Sequence, residues 1–215
     1  MSGTEGTRVL VFARAPVAGA VKTRLIPRLG AEGAAELHKL LVHRALSAAR
    51  DASFGRPLLY CAPDASHPFF QRCAEDYRAE LRVQTGDDLG ERMVCALSEG
   101  LEIASCALLI GSDCPALSAA SLQAAAAALA GDSDLVFVPA ADGGYVLIGA
   151  RKIDEALFKG VDWGTASVMQ QTRARITDLG WTWRELPVLW DVDRPEDLDR
   201  LAELGMPLPQ AAGKA

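Results

Sequence analysis

The stretch Val9–Gly30, VLVFARAPVAGAVKTRLIPRLG, decides the fold class of this chain. It opens with the short apolar run Val9–Ala13, which predicts a buried strand. The loop after it, Arg14–Gly30, is rich in proline and glycine, and Ala31–Arg50 then carries apolar residues at helical spacing. A strand, a loop and a helix in this order are typical of an α/β unit with parallel strands.

The same alternation continues along the rest of the chain. Strands are predicted at 57–61, 81–85, 106–110, 135–138 and 182–189, and helices at 68–77, 88–103, 118–130, 165–178 and 195–204. This order predicts an α/β fold with a mostly parallel central sheet sandwiched by helices. The strand Tyr145–Ile148 follows the turn signal Asp142-Gly143-Gly144 too soon for a helical crossover, so we expect it to pair antiparallel and make the sheet mixed.

Length and composition narrow the class of protein. The 215 residues suit one domain, which we expect at 8–205 between a flexible N-terminus, 1–7, and a flexible tail, 206–215. The net charge of −6 argues against nucleic-acid binding, and the apolar runs are too short for a membrane span. The odd number of five cysteines without a C-x-x-C pair predicts free thiols, and together with the absence of a signal peptide it indicates a cytoplasmic protein.

A basic loop follows the first predicted strand. Arg14, Lys22, Arg24 and Arg28 occur there without an intervening acid, and Gly19 adds backbone flexibility. In open α/β sheets ligands bind at the carboxyl ends of strands, where backbone N–H groups and basic side chains can hold a phosphate. The spacing is neither a Walker A loop nor G-x-G-x-x-G, and a solvated basic loop without a ligand is the alternative.

Two acidic segments also follow predicted strands. Asp113 follows the apolar run 106–110, where a hard cation that bridges phosphates would be held, although it could equally cap the turn before Pro115 or the following helix. Asp191 and Asp193 are two residues apart, so in an extended segment their side chains point to the same side. For Asp193 the alternative is a cap of the final helix.

The chain resembles a family of small bacterial proteins described as glycosyltransferases, some of them for arsenosugar biosynthesis. The resemblance runs from Val9 to about Leu201 and rests on F-A-R-A-P-V-A-G-A-V-K-T-R-L (12–25), Q-T-G-D-D-L-G-E-R-M (84–93), G-S-D-C-P (111–115), P-A-A-D-G-G-Y-V-L-I-G (139–149) and D-V-D-R-P-E-D-L (191–198). The family is part of the nucleotide-diphospho-sugar transferase superfamily, which also holds the molybdenum-cofactor and phospholactate guanylyltransferases. The resemblance therefore implies the nucleotide-diphospho-sugar transferase fold.

The resemblance also implies a role for each motif. The nucleotide and its phosphates would be bound by residues of the first two motifs: Ala13, Arg14, Gly19, Lys22, Thr23, Arg24, Asp88 and Arg92. The metal, Mg²⁺ or Mn²⁺, would be held by Asp113 and Asp193, with Asp191 in reserve. The departures are Pro115, where related transferases have the second acid of D-x-D, and Arg194, where the family usually has threonine.

The central turn would line the sugar or acceptor pocket. The resemblance places Gly143, Gly144, Tyr145 and Trp163 in that pocket, and Asp142 could orient a hydroxyl or act as a general base. The adjacent glycines would let a substrate approach the backbone, although a plain hairpin turn is the alternative.

The function that the resemblance implies is that of a metal-dependent transferase, which moves a glycosyl group from a nucleotide sugar to an unidentified small acceptor. The first alternative is nucleotidyl transfer from a nucleoside triphosphate to a phosphorylated acceptor, and the second is a nucleotide-binding module without catalysis. The three histidines, His38, His43 and His67, are expected to be exposed to solvent. Nothing in the sequence indicates the oligomeric state.

Overall fold

The computed structural model describes residues 6–209, and its core is one seven-stranded sheet. The strands are β1 (Thr7–Arg14), β2 (Leu58–Ala62), β3 (Glu80–Val83), β4 (Cys106–Gly111), β5 (Leu135–Pro139), β6 (Tyr145–Ala150) and β7 (Trp183–Glu185). The helices are α1 (Ile26–Asp51), α2 (Pro68–Tyr77), α3 (Leu89–Ile103), α4 (Ala119–Ala130), α5 (Val168–Asp178) and α6 (Asp197–Glu203).

The strand order is β3-β2-β1-β4-β6-β5-β7. β6 runs antiparallel to both β4 and β5, and every other neighbouring pair is parallel. The antiparallel pairing follows from the short turn that joins β5 to β6, since a parallel return would need a crossover of a dozen or more residues. The prediction of a mixed, mostly parallel sheet is confirmed.

Side chains that alternate along the strands build a hydrophobic core on each face of the sheet. In β1, Val9 and Val11 pack with apolar residues of α1, α2 and α4, whereas Leu10 packs with residues of α3 and α5. This alternation is the period-two pattern of a strand that is covered on both faces. A third, smaller cluster joins Leu25 and Leu29 to Val192 and to α6, so it anchors the C-terminal segment beside the basic loop.

Several predicted elements have different bounds in the structure, and three of the differences have a local explanation or affect the site. α1 begins at Ile26 rather than Ala31, and Gly30 interrupts it with φ 72° and ψ 169°. The predicted strand 182–189 contains only the three residues of β7 and an isolated bridge at Leu189, because Pro187 has no N–H to donate to a sheet. The final helix begins at Asp197 instead of Pro195.

The predictions for the chain ends fall mostly on residues outside the described range, so they stay predictions. The described range opens just before β1, which begins at Thr7. All five cysteines are free thiols, and four of them are buried. None of the helices between residues 6 and 209 has the length and apolar composition that a membrane crossing requires.

Candidate active site

A cavity of about 690 Å³ opens at the carboxyl ends of β1 and β4. The chain proceeds from β1 outward through β2 and β3 and then returns to place β4 on the other side of β1. The strand order therefore reverses between β1 and β4. Crevices at such a switch point are the usual ligand sites of open α/β sheets.

Most of the predicted site residues line this cavity. They come from β1 and its loop, from α3, from the end of β4, from the β5–β6 turn and from the segments before α5 and α6: Ala13, Arg14, Lys22, Thr23, Arg24, Arg92, Asp113, Asp142, Gly144, Tyr145, Trp163 and Asp193. Gly19, Asp88 and Gly143 are not part of its lining. The carboxylate of Asp88 instead accepts a hydrogen bond from Glu91 N at 2.9 Å and caps α3.

Lys22 joins three segments of the site. Its Nζ lies 2.8 Å from Asp113 Oδ1 and donates to the carbonyl oxygen of Val192 at 2.5 Å, while Val192 N donates to Asp113 O at 2.8 Å. The Lys22 side chain is only 5% exposed, and its backbone adopts the left-handed conformation with φ 49°. That conformation is unfavourable for a side chain other than glycine, so these contacts must hold it in place.

The neighbouring cation is paired as well. The guanidinium of Arg24 donates to Asp193 Oδ2, and both side chains are partly exposed. Asp197 accepts hydrogen bonds from the backbone N–H groups of Asp193 and Arg194, at 3.0 and 2.7 Å. The Asp193 carboxylate thus faces Arg24, and it is Asp197 that accepts from the backbone ahead of α6.

Two guanidinium groups of the cavity stay unpaired. Arg14 ends β1 and is exposed, and Arg92 is half-buried on α3, where its Nε donates to Gly86 O at 2.9 Å. Within residues 6–209, neither one has a carboxylate at ion-pair distance. Arg14, at the end of β1, and Arg92, on α3, therefore contribute positive charge to the cavity that no ion pair within residues 6–209 cancels.

Acidic side chains line the space beside β4 and β6. Asp113, Asp142 and Asp191 line an adjoining hollow of about 190 Å³, and no basic side chain lines it. Burial, reinforced by the charges of Asp142 and Asp113, raises the pKa of Asp191 to about 6. Burial also acts to raise the pKa of Asp113, but the adjacent Lys22 ammonium outweighs it and holds that pKa below its usual range. The site is thus divided by charge.

The β5–β6 turn is packed tightly against the segment before α5. Gly143 has φ 96°, and a Cβ atom there would lie 2.3 Å from Ala166 O. Its carbonyl accepts from Met169 N at 2.9 Å, in the first turn of α5, while Asp142 Oδ1 accepts from Gly144 N at 3.0 Å. Gly143 therefore shapes the pocket from behind its wall, which explains why it is not in the lining.

Aromatic and apolar side chains form the remaining wall. Trp163 packs on Phe158 with ring centroids 5.9 Å apart, and the hydroxyl of Tyr145 lies 4.0 Å from Met93 Sδ. Met93, Tyr145, Trp163 and the partly exposed Leu89 all line the cavity. Such a surface suits the flat face of a base or a sugar ring.

His38 and Gln84 line the cavity although they were not among the predicted site residues. The expectation for His38 is wrong, because its side chain is buried with 4% exposure and its Nε2 lies 3.0 Å from Arg14 O. Gln84 donates through Nε2 to Tyr60 O at 3.0 Å and to Ala13 O at 3.3 Å. The signal for His38 was its place among the apolar positions Leu37 and Leu41 of α1, which face the core.

Solved structures share this fold over nearly the whole chain. A protein from Desulfovibrio desulfuricans G20, provisionally described as a nucleotide-diphospho-sugar transferase, is 31% identical over 94% of this chain and 88% of its own, with a TM-score of 0.84. A cytidylyltransferase from Leptospira borgpetersenii is 14% identical over 96% and 90%, with a TM-score of 0.62. The glucosyl-3-phosphoglycerate synthase of Mycobacterium tuberculosis, solved with Mn²⁺ and UDP, is 12% identical over 92% and 75%, with a TM-score of 0.55.

The nucleotide-diphospho-sugar transferase fold expected from the motifs is confirmed by these structures. No curated protein matches the chain. A family model does match, over residues 45–165, which is more than half of the chain. The chain belongs to the family described as uncharacterized proteins conserved in bacteria, DUF2064.

Proposed function

We propose that this protein is a metal-dependent transferase that moves a glycosyl group from a nucleotide-diphosphate sugar to a neutral, hydroxyl-bearing small acceptor. The observation that carries the proposal is the division of the cavity by charge. Arg14 and Arg92 bring to the main cavity guanidinium groups that have no ion-pair partner among residues 6–209, and Asp142 and Asp191 bring carboxylates to the adjoining hollow.

The basic side suits the diphosphate of the donor. Guanidinium groups bind phosphate oxygens with two parallel hydrogen bonds, and among the described residues neither Arg14 nor Arg92 has an ion-pair partner that neutralises it. Lys22 and Arg24 come from the same loop but are neutralised by Asp113 and Asp193. In this proposal Arg14 and Arg92 make the first phosphate contacts, and Lys22 and Arg24 join them when a ligand draws them away from their carboxylates.

The acidic side suits an acceptor that brings hydrogen-bond donors. Carboxylates accept hydrogen bonds from hydroxyl groups but repel phosphates, and like charges in a partly buried site cost several kcal/mol. Asp191, with a pKa raised to about 6, stays ionised at neutral pH and is basic enough to take a proton from a hydroxyl as it reacts. Asp142, on the β5–β6 turn, is the second candidate for this role, because one of its oxygens is free of the turn.

A divalent cation fits the donor set of this site. Within the described residues no three acidic, histidine or cysteine side chains converge on one point, so the protein alone offers at most two carboxylate ligands. Mg²⁺ typically uses one or two carboxylates together with phosphate oxygens and water. Asp113 and Asp193 would hold such an ion when the nucleotide brings its phosphates, and the ion would neutralise charge on the leaving diphosphate.

Nucleotidyl transfer is the second candidate function. The fold is shared with a cytidylyltransferase, and four basic residues line the cavity. The acidic hollow argues against nucleotidyl transfer, because a phosphorylated acceptor would have to lie beside three carboxylates.

Two further expectations belong to this proposal. One is the narrower kinship with arsenosugar-type glycosyltransferases or with guanylyltransferases, and the other is a cytoplasmic location, in keeping with five free thiols.

The proposal is tested by thermal unfolding with nucleosides, nucleoside diphosphates and nucleotide sugars of all common bases, each with Mg²⁺ or Mn²⁺. A ligand at 100 times its Kd adds about 2.7 kcal/mol of stability. We expect at least one nucleoside diphosphate and its sugar derivative to raise the Tm, and the matching nucleoside to leave it unchanged. If no diphosphate of any base stabilises the protein, the proposal is wrong.

A further inference from the structure

We propose that His38 is the positioning residue of the phosphate side of the cavity, and that it acts by fixing the backbone of Arg14. This inference rests on the proposed function, because it concerns how the diphosphate is bound. His38 lies on α1, the helix that follows the basic loop, and it forms part of the cavity lining beside Asp113 and Lys22.

Among the described residues, the His38 ring has one hydrogen-bond partner, and that partner lies at the end of β1. Arg14 is the last residue of the strand, and the amide of the peptide unit that follows it, Ala15 N, donates to Ala62 O at 2.7 Å. The Arg14 carbonyl accepts from His38 Nε2 at 3.0 Å. A carbonyl can only accept, so the proton of the neutral ring is on Nε2. Both polar groups of the peptide unit that follows Arg14, its carbonyl and the Ala15 N–H, are thus hydrogen-bonded.

The same tautomer leaves the other ring nitrogen without a partner. His38 Nδ1 is completely buried and makes no hydrogen bond. An apolar side chain would avoid both the unpaired nitrogen and the loss of hydration, and unsatisfied buried groups cost about 1–3 kcal/mol. His38 therefore costs stability and gains one hydrogen bond, so we infer that its role is to position the group that this bond holds.

The bond positions one of the two unpaired guanidinium groups. The Arg14 side chain lines the cavity, and His38 holds the backbone carbonyl of the same residue. No carboxylate in the described part of the chain lies at ion-pair distance from the Arg14 guanidinium. Arg92 is restrained differently, since its Nε donates to Gly86 O at 2.9 Å. Because the Arg14 backbone is already fixed, less conformational entropy has to be lost when Arg14 binds phosphate.

The test is a matched pair of substitutions, His38→Gln and His38→Met. The two new side chains have nearly the same size and helix propensity, but only glutamine can donate to Arg14 O. With inorganic pyrophosphate as the probe in calorimetry, we expect His38→Met to raise the Kd roughly 3- to 10-fold, which is the value of one hydrogen bond. His38→Gln should recover most of this loss in affinity.

A double variant and a control on the same helix make the test specific. In the Arg14→Ala background, His38→Met should change the Kd by less than twofold, because a residue that acts through Arg14 has nothing left to position. His43→Met removes the other α1 histidine, whose Nδ1 lies 3.1 Å from the Tyr77 hydroxyl outside the cavity, and should leave the Kd unchanged.

Each remaining outcome has a definite meaning. A His38→Met protein that binds pyrophosphate as tightly as the parent, or that loses its fold by circular dichroism, overturns the role of His38. An equal loss with glutamine and methionine overturns it too, since the donor would then be irrelevant. A parent protein that binds no pyrophosphate contradicts the proposed function itself.

Discussion

At the scale of single residues, the two unpaired guanidinium groups are the most direct test of the phosphate side. Arg92→Ala removes a guanidinium group that no carboxylate of the described residues neutralises. A charge-assisted hydrogen bond from this group to a phosphate would be worth about 1.5–3 kcal/mol. We expect calorimetry to show a Kd for a nucleoside diphosphate that rises roughly 10- to 100-fold. Arg72→Ala, an exposed arginine of α2, is the control and should change nothing. An unchanged Kd in Arg92→Ala would remove Arg92 from the phosphate site.

The acidic side has its own signature in the pH dependence of stability. Burial and neighbouring acids raise the pKa of Asp191 to about 6, so the folded state binds this proton more tightly than the unfolded chain does. The cost of ionising Asp191 is therefore absent below about pH 4 and complete above about pH 6. With a chelator present, Asp191→Asn should stabilise the protein by on the order of 2 kcal/mol at pH 8 and by nothing at pH 4.

Thermal unfolding at the two pH values gives the comparison, and Asp199→Asn, an exposed acid on α6, is its control. If Asp191→Asn changed the Tm equally at both pH values, the charge of Asp191 would not be the cause. A loss of stability at pH 8 would contradict the raised pKa directly.

The sequence predicted the chemistry of single residues better than their pairing. Arg14, Lys22, Asp113 and Asp193 line the cavity as expected. Their ion pairs were not foreseen, because Lys22 and Asp113 are 91 positions apart and only the parallel register of β1 with β4 brings their segments together. His38 was missed for a related reason: the end of a strand elsewhere in the chain supplies its partner.

At the scale of elements, the β5–β6 turn and the start of α5 form one unit, and two adjacent glycines test it. Gly143→Ala would place a Cβ 2.3 Å from Ala166 O at a backbone φ of 96°, so the turn or the α5 segment must move. We expect a loss of at least about 2 kcal/mol, which corresponds to about 4–8 °C in Tm for a chain of this size. Nucleotide-sugar binding should weaken in the folded fraction.

Gly144→Ala is the matched control for this turn. Its Cβ would lie 3.4 Å from Asp142 Oδ1, and its φ is not in the left-handed region, so the Tm should fall by much less. A Gly143→Ala protein as stable as Gly144→Ala would show that the close approach to Ala166 is not required.

Element bounds followed local signals where these were strong. α2 begins and ends as predicted, at Pro68 and Tyr77, because His67 accepts from Phe69 N ahead of a proline in the first turn. The late strand was predicted too long, since hydrophobicity between 182 and 189 outweighed Pro187 in that interpretation. The helical turn before Gly30 was missed, because a proline- and glycine-rich stretch gave no periodic signal.

At the scale of the whole molecule, the sheet brings a basic and an acidic surface together at one switch point. The basic loop follows β1, and the acids lie after β4, after β5 and within the segment before α6. Lys22 joins the end of β4 to that last segment. The fold class was predictable because it depends on the order of strands and helices, which local patterns reveal. The division by charge was not, because it depends on which loops meet.

The central claim, glycosyl transfer to a neutral acceptor, is tested most directly by the identity of the leaving group. The protein is incubated with Mg²⁺ or Mn²⁺ and two donor pools, nucleotide sugars and nucleoside triphosphates, against paired acceptors such as glycerol and glycerol 3-phosphate or glucose and glucose 6-phosphate. Asp113→Asn, checked for folding by its Tm, is run alongside. The account predicts release of a nucleoside diphosphate from a nucleotide sugar with an unphosphorylated acceptor, and its loss in Asp113→Asn. Release of pyrophosphate from a triphosphate, dependent on a phosphorylated acceptor and lost in Asp113→Asn, would contradict it.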